Sequence, residues 1–431
     1  MINRRKLIIP LLGTLGLLFI SIGAATAQND SSISAMTIEQ CYQWSKEHYT
    51  FTQQLDLVNK TTAYSLDNAA NGNLPQINLN GQATYQSAVT ELPGEMPGLD
   101  IPTVNKDQYK AYLDVYQPLN RFNTVSNQQN LIRTNGEIEK QQVEIDFQKL
   151  KDRINQIYFG TLLINEKNEQ LRIIQADIDS ALVKVQAAIN NGTATLTDKQ
   201  LLEVEKIALD QQMDENKANQ LAFIEMLSTL TGKKVDLNTQ LIRPQIQVLN
   251  SVLNRPELQL FSLQSQNLAF QNKQLDQDLL PNIGLFGQSG YGRPALNLLS
   301  NEFEFYYIGG LKLNWNLSAF YNHKNKKRSL DLANEKIAAQ KETFLLNTRL
   351  TQSQQSAEIK KYQGLIFRDE QIIAIRQEVV NTAKVQLENG LITTLDYINN
   401  LNNLNQAKQT MLLHETQLLL AQQNYKITTG N

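Results

Sequence analysis

The chain repeats itself, and this limits its possible folds more than any other feature. Leu74-Pro75-x-Ile77-x-Leu79-x-Gly81-Gln82-x-x-Tyr85 returns as Leu280-Pro281-x-Ile283-x-Leu285-x-Gly287-Gln288-x-x-Tyr291, at a constant offset of 206. Asn191-Gly192-x-x-Thr195-x-x-Asp198 returns as Asn389-Gly390-x-x-Thr393-x-x-Asp396 at an offset of 198, and Leu113 and Leu119 return as Leu311 and Leu317 at that same offset. The change falls between Tyr85 and Leu113, so the first copy has the longer connection there. Ordered matches of this kind read as a tandem duplication, roughly 28–250 and 251–431. Each half is predicted to run helix (37–71 and 256–279), strand pair, very long helix, Asn-Gly break and returning helix.

The first 27 residues read as an export signal. Arg4, Arg5 and Lys6 precede an apolar stretch over 7–20, and Ala25-Thr26-Ala27 is a small-x-small cleavage site before Gln28. No cysteine stands there to accept a lipid anchor, because Cys41 is the sole cysteine. No later segment has 18 consecutive apolar residues. The 40 Lys and Arg against 42 Asp and Glu argue against a nucleic-acid partner. One cysteine and three separated histidines (His48, His323, His414) leave little for a disulfide framework or a metal centre. No Ser/His/Asp or paired-carboxylate arrangement stands out, so neither catalysis nor a cofactor is expected.

Two kinds of periodicity follow. Ile77, Leu79, Gly81, Ala83 and Tyr85 share one face of a period-2 run, with Asn78, Asn80, Gln82, Thr84 and Gln86 opposite. Ala111, Leu113 and Val115 oppose Lys110, Asp114 and Tyr116 in the partner run. Later, Phe303, Phe305, Tyr307, Gly309, Leu311, Leu313, Trp315 and Leu317 share a face, against Glu302, Glu304, Lys312, Asn314 and Asn316. Runs of this length, apolar on one face and polar on the other, fit tilted strands in an outer-membrane barrel or a half-buried sheet; the export signal favours the barrel. Four strands cannot close one, and open edges in lipid leave backbone groups unsatisfied. Three chains would supply twelve.

The second periodicity is seven. Val143, Leu150, Ile157, Ile164, Leu171, Ile178 and Val185 recur in step, with Phe147, Ile154, Leu182 and Ile189 as companions. Ile359, Ile366, Ile373, Val380 and Leu387 follow in the second half, and Leu404, Met411, Leu418 and Tyr425 in its return helix. Coiled-coil packing over this length, about 100 Å at ~1.5 Å per residue, points to a rod or a tube wall. Gly192 and Gly390 suit left-handed positions ending the long helices, and Asp198 and Asp396 suit the starts of the return helices.

These features together resemble the TolC-type outer membrane efflux proteins over about 36–427. The resemblance implies a mainly α fold with a membrane β part. In it a trimer builds a long α-helical barrel and a shared 12-stranded transmembrane β-barrel from the duplicated strand-strand-helix-turn-helix unit. It implies an outer membrane location with a long periplasmic extension, in contact with outer membrane lipid. The implied role is a passive exit duct of a tripartite efflux or type I secretion system, whose partners are a periplasmic adaptor and, through it, an inner-membrane transporter. Asn191, Gly192, Thr195, Asn389, Gly390 and Thr393 would form the adaptor-docking tips, and Asp198 and Asp396 would stand at the entrance. Some relatives lock the second tip with a Tyr and an Arg; here those positions are Leu387 and Ile392. Asn399 stands where some carry a further acid. The competing reading is a periplasmic coiled-coil adaptor or structural protein, which would usually show one helical hairpin in a β-rich frame.

Four further segments stand out. His323-Lys324-x-Lys326-Lys327-Arg328 could meet lipid phosphates, line a lumen or simply be solvated. Gly284, Gly287, Gly290 and Gly292 are spaced somewhat like a nucleotide loop but lie on a strand and open no helix. Pro93-Gly94 and Pro97-Gly98 mark an external loop, and 232–255 an irregular link expected to pack with the chain ends.

Overall fold

A computed structural model describes residues 33–90, 105–245 and 250–431; the export signal and the Pro-Gly loop lie outside the described residues. Seven helices and six strands follow in the order β1 (Ala35–Met36), α1 (Ile38–His48), α2 (Phe51–Ala70), β2 (Gln76–Tyr85), β3 (Asp107–Pro118), α3 (Phe122–Asn190), α4 (Leu196–Thr231), β4 (Gln240–Leu241), α5 (Pro256–Gln277), β5 (Asn282–Arg293), β6 (Glu304–Asn314), α6 (Ala319–Glu388) and α7 (Thr394–Thr429). The two long helices have 69 and 70 residues, and each return helix has 36. Among the described residues no helix is long and apolar enough to cross a membrane.

The heptads explain how such helices hold together. Val143, Ile157, Leu171, Ile178 and Val185 are buried, as are Phe147 and Ile154. Near the far ends of the hairpins, Leu171, Ile178, Leu202, Val380, Leu401 and Leu404 form one apolar cluster spanning both. At mid-length a second cluster gathers Met36, Ile38, Cys41, Ile154, Tyr158 and Leu227. There β1 pairs in parallel with β4, and the Tyr158 hydroxyl sits between the carbonyls of Met36 (2.9 Å) and Ile242 (2.7 Å). The Asn254 N–H donates to Thr429 O at 2.7 Å, and the Asn431 amide donates to Val252 O at 2.9 Å. The described parts of the link therefore pack against residues 34–36 on one side and 429–431 on the other.

Two element boundaries differ from the sequence expectation. The helix predicted over 37–71 is broken at Tyr49, whose backbone is extended, and resumes at Phe51. The run His48-Tyr49-Thr50-Phe51-Thr52 is poor in strong helix formers. Phe51 instead turns into a small core with Val143 and Phe147. The strand predicted to reach Leu317 stops at Asn314. Just beyond it the Trp315 indole N–H donates to Leu279 O at 2.9 Å, and a turn over 316–319 starts α6.

The four long strands form one antiparallel sheet in the order β2-β3-β5-β6. Its register sets the apolar positions in rows: Leu79 opposite Leu113, Leu113 opposite Ser289, Ser289 opposite Tyr307; Ile283 opposite Leu313 and Leu285 opposite Leu311. This face is open, with Leu79 81%, Tyr307 78% and Leu311 71% exposed. The opposite face is less polar than predicted. Asn78, Asp114 and Gln288 lie in register there, but so do Tyr112, Gly290 and Tyr306. The glycines make room for the rings. A Cβ on Gly290 would lie 2.6 Å from Tyr112 Cβ, and one on Gly284 would collide with the Tyr116 ring. No strand of the described residues pairs with the outer edge of β2 or of β6.

Candidate functional site

The two Asn-Gly breaks fold alike because their residues make the same local bonds. α3 ends at Asn190 with Asn191 as its cap, and Gly192 takes a left-handed φ of +71°. The Gly192 N–H donates to Ile189 O at 2.9 Å, and the Thr193 N–H to Ala188 O at 2.8 Å. In the second hairpin Gly390 has φ +67°, its N–H donates to Leu387 O at 3.0 Å, and the Leu391 N–H to Gln386 O at 2.8 Å. Both glycines have open space where a Cβ would stand, so backbone conformation, not crowding, selects glycine.

Each return helix starts in a capping box. Thr195 Oγ1 accepts from the Asp198 N–H at 3.3 Å, while Asp198 Oδ2 accepts from the Thr195 N–H at 2.9 Å and its hydroxyl at 2.6 Å. Thr393 and Asp396 repeat this at 3.1, 3.1 and 2.6 Å. The Thr195 hydroxyl, then its backbone N–H, then the Thr394 hydroxyl hold the Asp198 carboxyl below its ordinary range. The Thr393 hydroxyl and N–H do the same for Asp396. The two acids differ in surroundings. Asp198 is half-buried and lines a groove of about 830 Å³ between the hairpin tips, whereas Asp396 is exposed and outside that lining.

All six predicted tip residues thus lie at the two ends that the structure brings together. Asn191, Thr393 and Gly390 line the groove, with Asn389 beside them. Sequence reasoning missed what joins the ends. Lys184 Nζ on α3 meets Glu388 Oε1 on α6 at 2.5 Å, across the two hairpins. That hydrogen bond, then the lysine's charge, lowers the Glu388 carboxyl. Tyr397 is buried beside them, and burial raises its hydroxyl. Leu387 and Ile392, where a polar lock is absent, pack against the apolar cluster instead. Among the described residues no cluster of His, Cys, Asp and Glu is arranged to hold a metal ion.

No family model and no curated protein sequence matches the chain. Solved structures do. VceC, an outer membrane protein from Vibrio cholerae, superposes with TM-score 0.70 at 12% identity, over 91% of this chain and 96% of that one. The chain has the fold of the outer membrane channels. The CmeC outer membrane channel of Campylobacter jejuni gives TM-score 0.66 at 11% identity, over 99% and 94%. The MtrE outer membrane channel of Neisseria gonorrhoeae, solved in an open state, gives 0.67 at 13% over 93% and 94%. At these identities the likeness is one of architecture: a TolC-type arrangement of sheet, long helices and tips.

Proposed function

We propose that the chain is an outer membrane channel that passively passes substrates from the periplasm to the exterior, as the exit duct of a tripartite efflux or type I secretion system. Three copies would close a 12-stranded barrel over a helical barrel. The tips at Gly192 and Gly390 would dock a periplasmic adaptor, and an inner-membrane transporter would act through that adaptor. The two halves, 28–250 and 251–431, would be copies of one ancestral unit.

One observation carries this reading: a four-stranded sheet with an open apolar face and two unpaired edges, on a chain with this fold. In water that face would be an aggregation liability. In a bilayer it is the required surface, and its strands of 10 to 12 residues have the length to cross. The edges then demand neighbours. The flanking helices support the same conclusion: Leu57 and Tyr64 on α2, and Leu332, Leu346 and Leu350 on α6, are all exposed.

Native mass of the detergent-extracted protein tests the reading. A trimer is expected; a stable monomer would leave four strands with open edges and return the helices to a periplasmic structural role. A second expected outcome concerns Asp396. Three such carboxylates near a common axis would favour cations. Asn at this position keeps an oxygen for the cap and removes the charge. Asp396→Asn should therefore shift single-channel reversal potentials toward lower cation preference, and unchanged potentials would remove Asp396 from that role.

A further inference from the structure

We propose that Lys324 and Lys327 form a binding site for the phosphate of an anionic phospholipid headgroup, on the outer side of the molecule where the sheet meets α6. The inference rests on the membrane reading above and names the lipid chemistry that would hold the channel at that depth.

The strands end in an apolar collar. Trp315 continues the phase of Leu311 and Leu313, and its ring meets that of Phe320 edge-on at 6.4 Å. Both rings are about half exposed, 49% each, and Phe122 at the start of α3 is 64% exposed. Aromatic rings concentrated at one end of an apolar strand face mark a membrane–water boundary. Lys324 and Lys327 stand four and seven residues after Phe320, on the same face of α6. That places their Cα atoms about 6 and 10 Å below the collar. Side chains on a helix lean toward its N-terminus, here toward the sheet, so both ammonium groups reach back to headgroup level.

Nothing among the described residues accounts for these cations. Both are exposed, and among the described residues neither makes an ion pair or a hydrogen bond. They sit near the positive end of the helix dipole, with no acid in the first turn. The first acid on α6 is Asp331. At the offset of 198 the corresponding residues of α3 are Ser126 and Gln129, so starting a long helix below the sheet does not require lysine. Lys326 is different. It turns to another flank of α6 and lines a polar cavity of about 380 Å³ with Arg121 and Asp278.

The test uses the full mature chain reconstituted into phosphatidylcholine vesicles with or without phosphatidylglycerol. It is then re-extracted, and the lipid retained on the oligomer is quantified by native mass spectrometry. The wild type should retain phosphatidylglycerol in preference to phosphatidylcholine. Lys324→Gln or Lys327→Gln should each reduce that preference about fivefold, and the double variant should nearly abolish it. Lys326→Gln should leave it unchanged. Wild-type enrichment in the double variant would overturn the proposal. So would a double variant that loses its oligomer, because the lysines would then belong to contacts between copies. A wild type that inserts without lipid preference defeats this proposal alone; one that enters neither kind of vesicle defeats the membrane reading as well.

Discussion

Replacing Gly290 with valine is expected to abolish the proposed trimer, whereas the same change at Gly287, three residues away, is expected to leave it intact. Gly290 faces the side of the sheet that carries the tyrosines, opposite Tyr112 on β3 and Tyr306 on β6. A Cβ there would lie 2.6 Å from Tyr112 Cβ, 2.8 Å from Ala111 O and 2.9 Å from the Tyr306 ring. The first two atoms belong to a fixed backbone and to the root of a side chain, so neither can rotate away. Overpacking of this kind costs about 1–3 kcal/mol where side chains alone must move, and more where strands must separate. Gly287 lies on the open apolar face and has no atom within 4 Å of a Cβ. Valine also suits a strand better than glycine. Native mass of the detergent-extracted variants separates the two. Equal tolerance of both would mean that the tyrosine face does not crowd Gly290, and loss at Gly287 alone would mean that the two faces of β5 are the other way round.

That contrast shows where sequence patterning stops. Period-2 alternation marks β2, β3 and β6 and their apolar face, because each apolar residue reports its own side of the sheet, while β5 is marked by the repeat of the Leu-Pro motif. The glycines of β5 gave no such report. Gly284 and Gly290 are explained by Tyr116 and Tyr112, which reach them only through the β3–β5 pairing of strands more than 160 residues apart in the chain. The seven-residue recurrence is legible from Val143 in α3, where its stripe is buried at Val143, Ile157, Leu171, Ile178 and Val185, and from Ile359 in α6, where Ile359 and Val380 are buried and the positions between them half-buried. The break at Tyr49 was not, because it depends on Phe51 finding Phe147 on another helix.

The tips follow the same division. Thr-x-x-Asp after Asn-Gly is a local instruction, and both capping boxes formed as their sequence implies. Whether each Asp faces a groove or solvent is not local. Asp198 gains the Thr394 hydroxyl of the other hairpin, whereas Asp396 has only its own cap. The Lys184–Glu388 contact spans 204 positions and breaks the 198 offset, so no comparison of the two halves could reveal it.

Reversing the charge of Lys184 should therefore raise the resting conductance several-fold in planar bilayers. The pair ties α3, about two turns before the first Asn-Gly break, to the last residue of α6, directly before the second, and it lines the groove between the tips. Lys184→Glu sets two carboxylates face to face where a 2.5 Å contact stood, which favours states in which the hairpins part. Glu388→Lys alone should act in the same direction, since Lys184 and Lys384 would then flank a third cation. The double charge swap should return conductance close to wild type, because it restores one ion pair of inverted polarity. Acid provides a second readout. The Glu388 carboxyl is held below its ordinary value of 4.5, so the pair's contribution is fully present above that value and is lost as pH falls through the depressed one. Wild-type conductance should rise in that acidic window, and the Lys184→Gln channel should lack that component of the rise. A swap that fails to rescue, or the same acid response in both channels, would show that the tips are held shut by their apolar cluster and not by this pair.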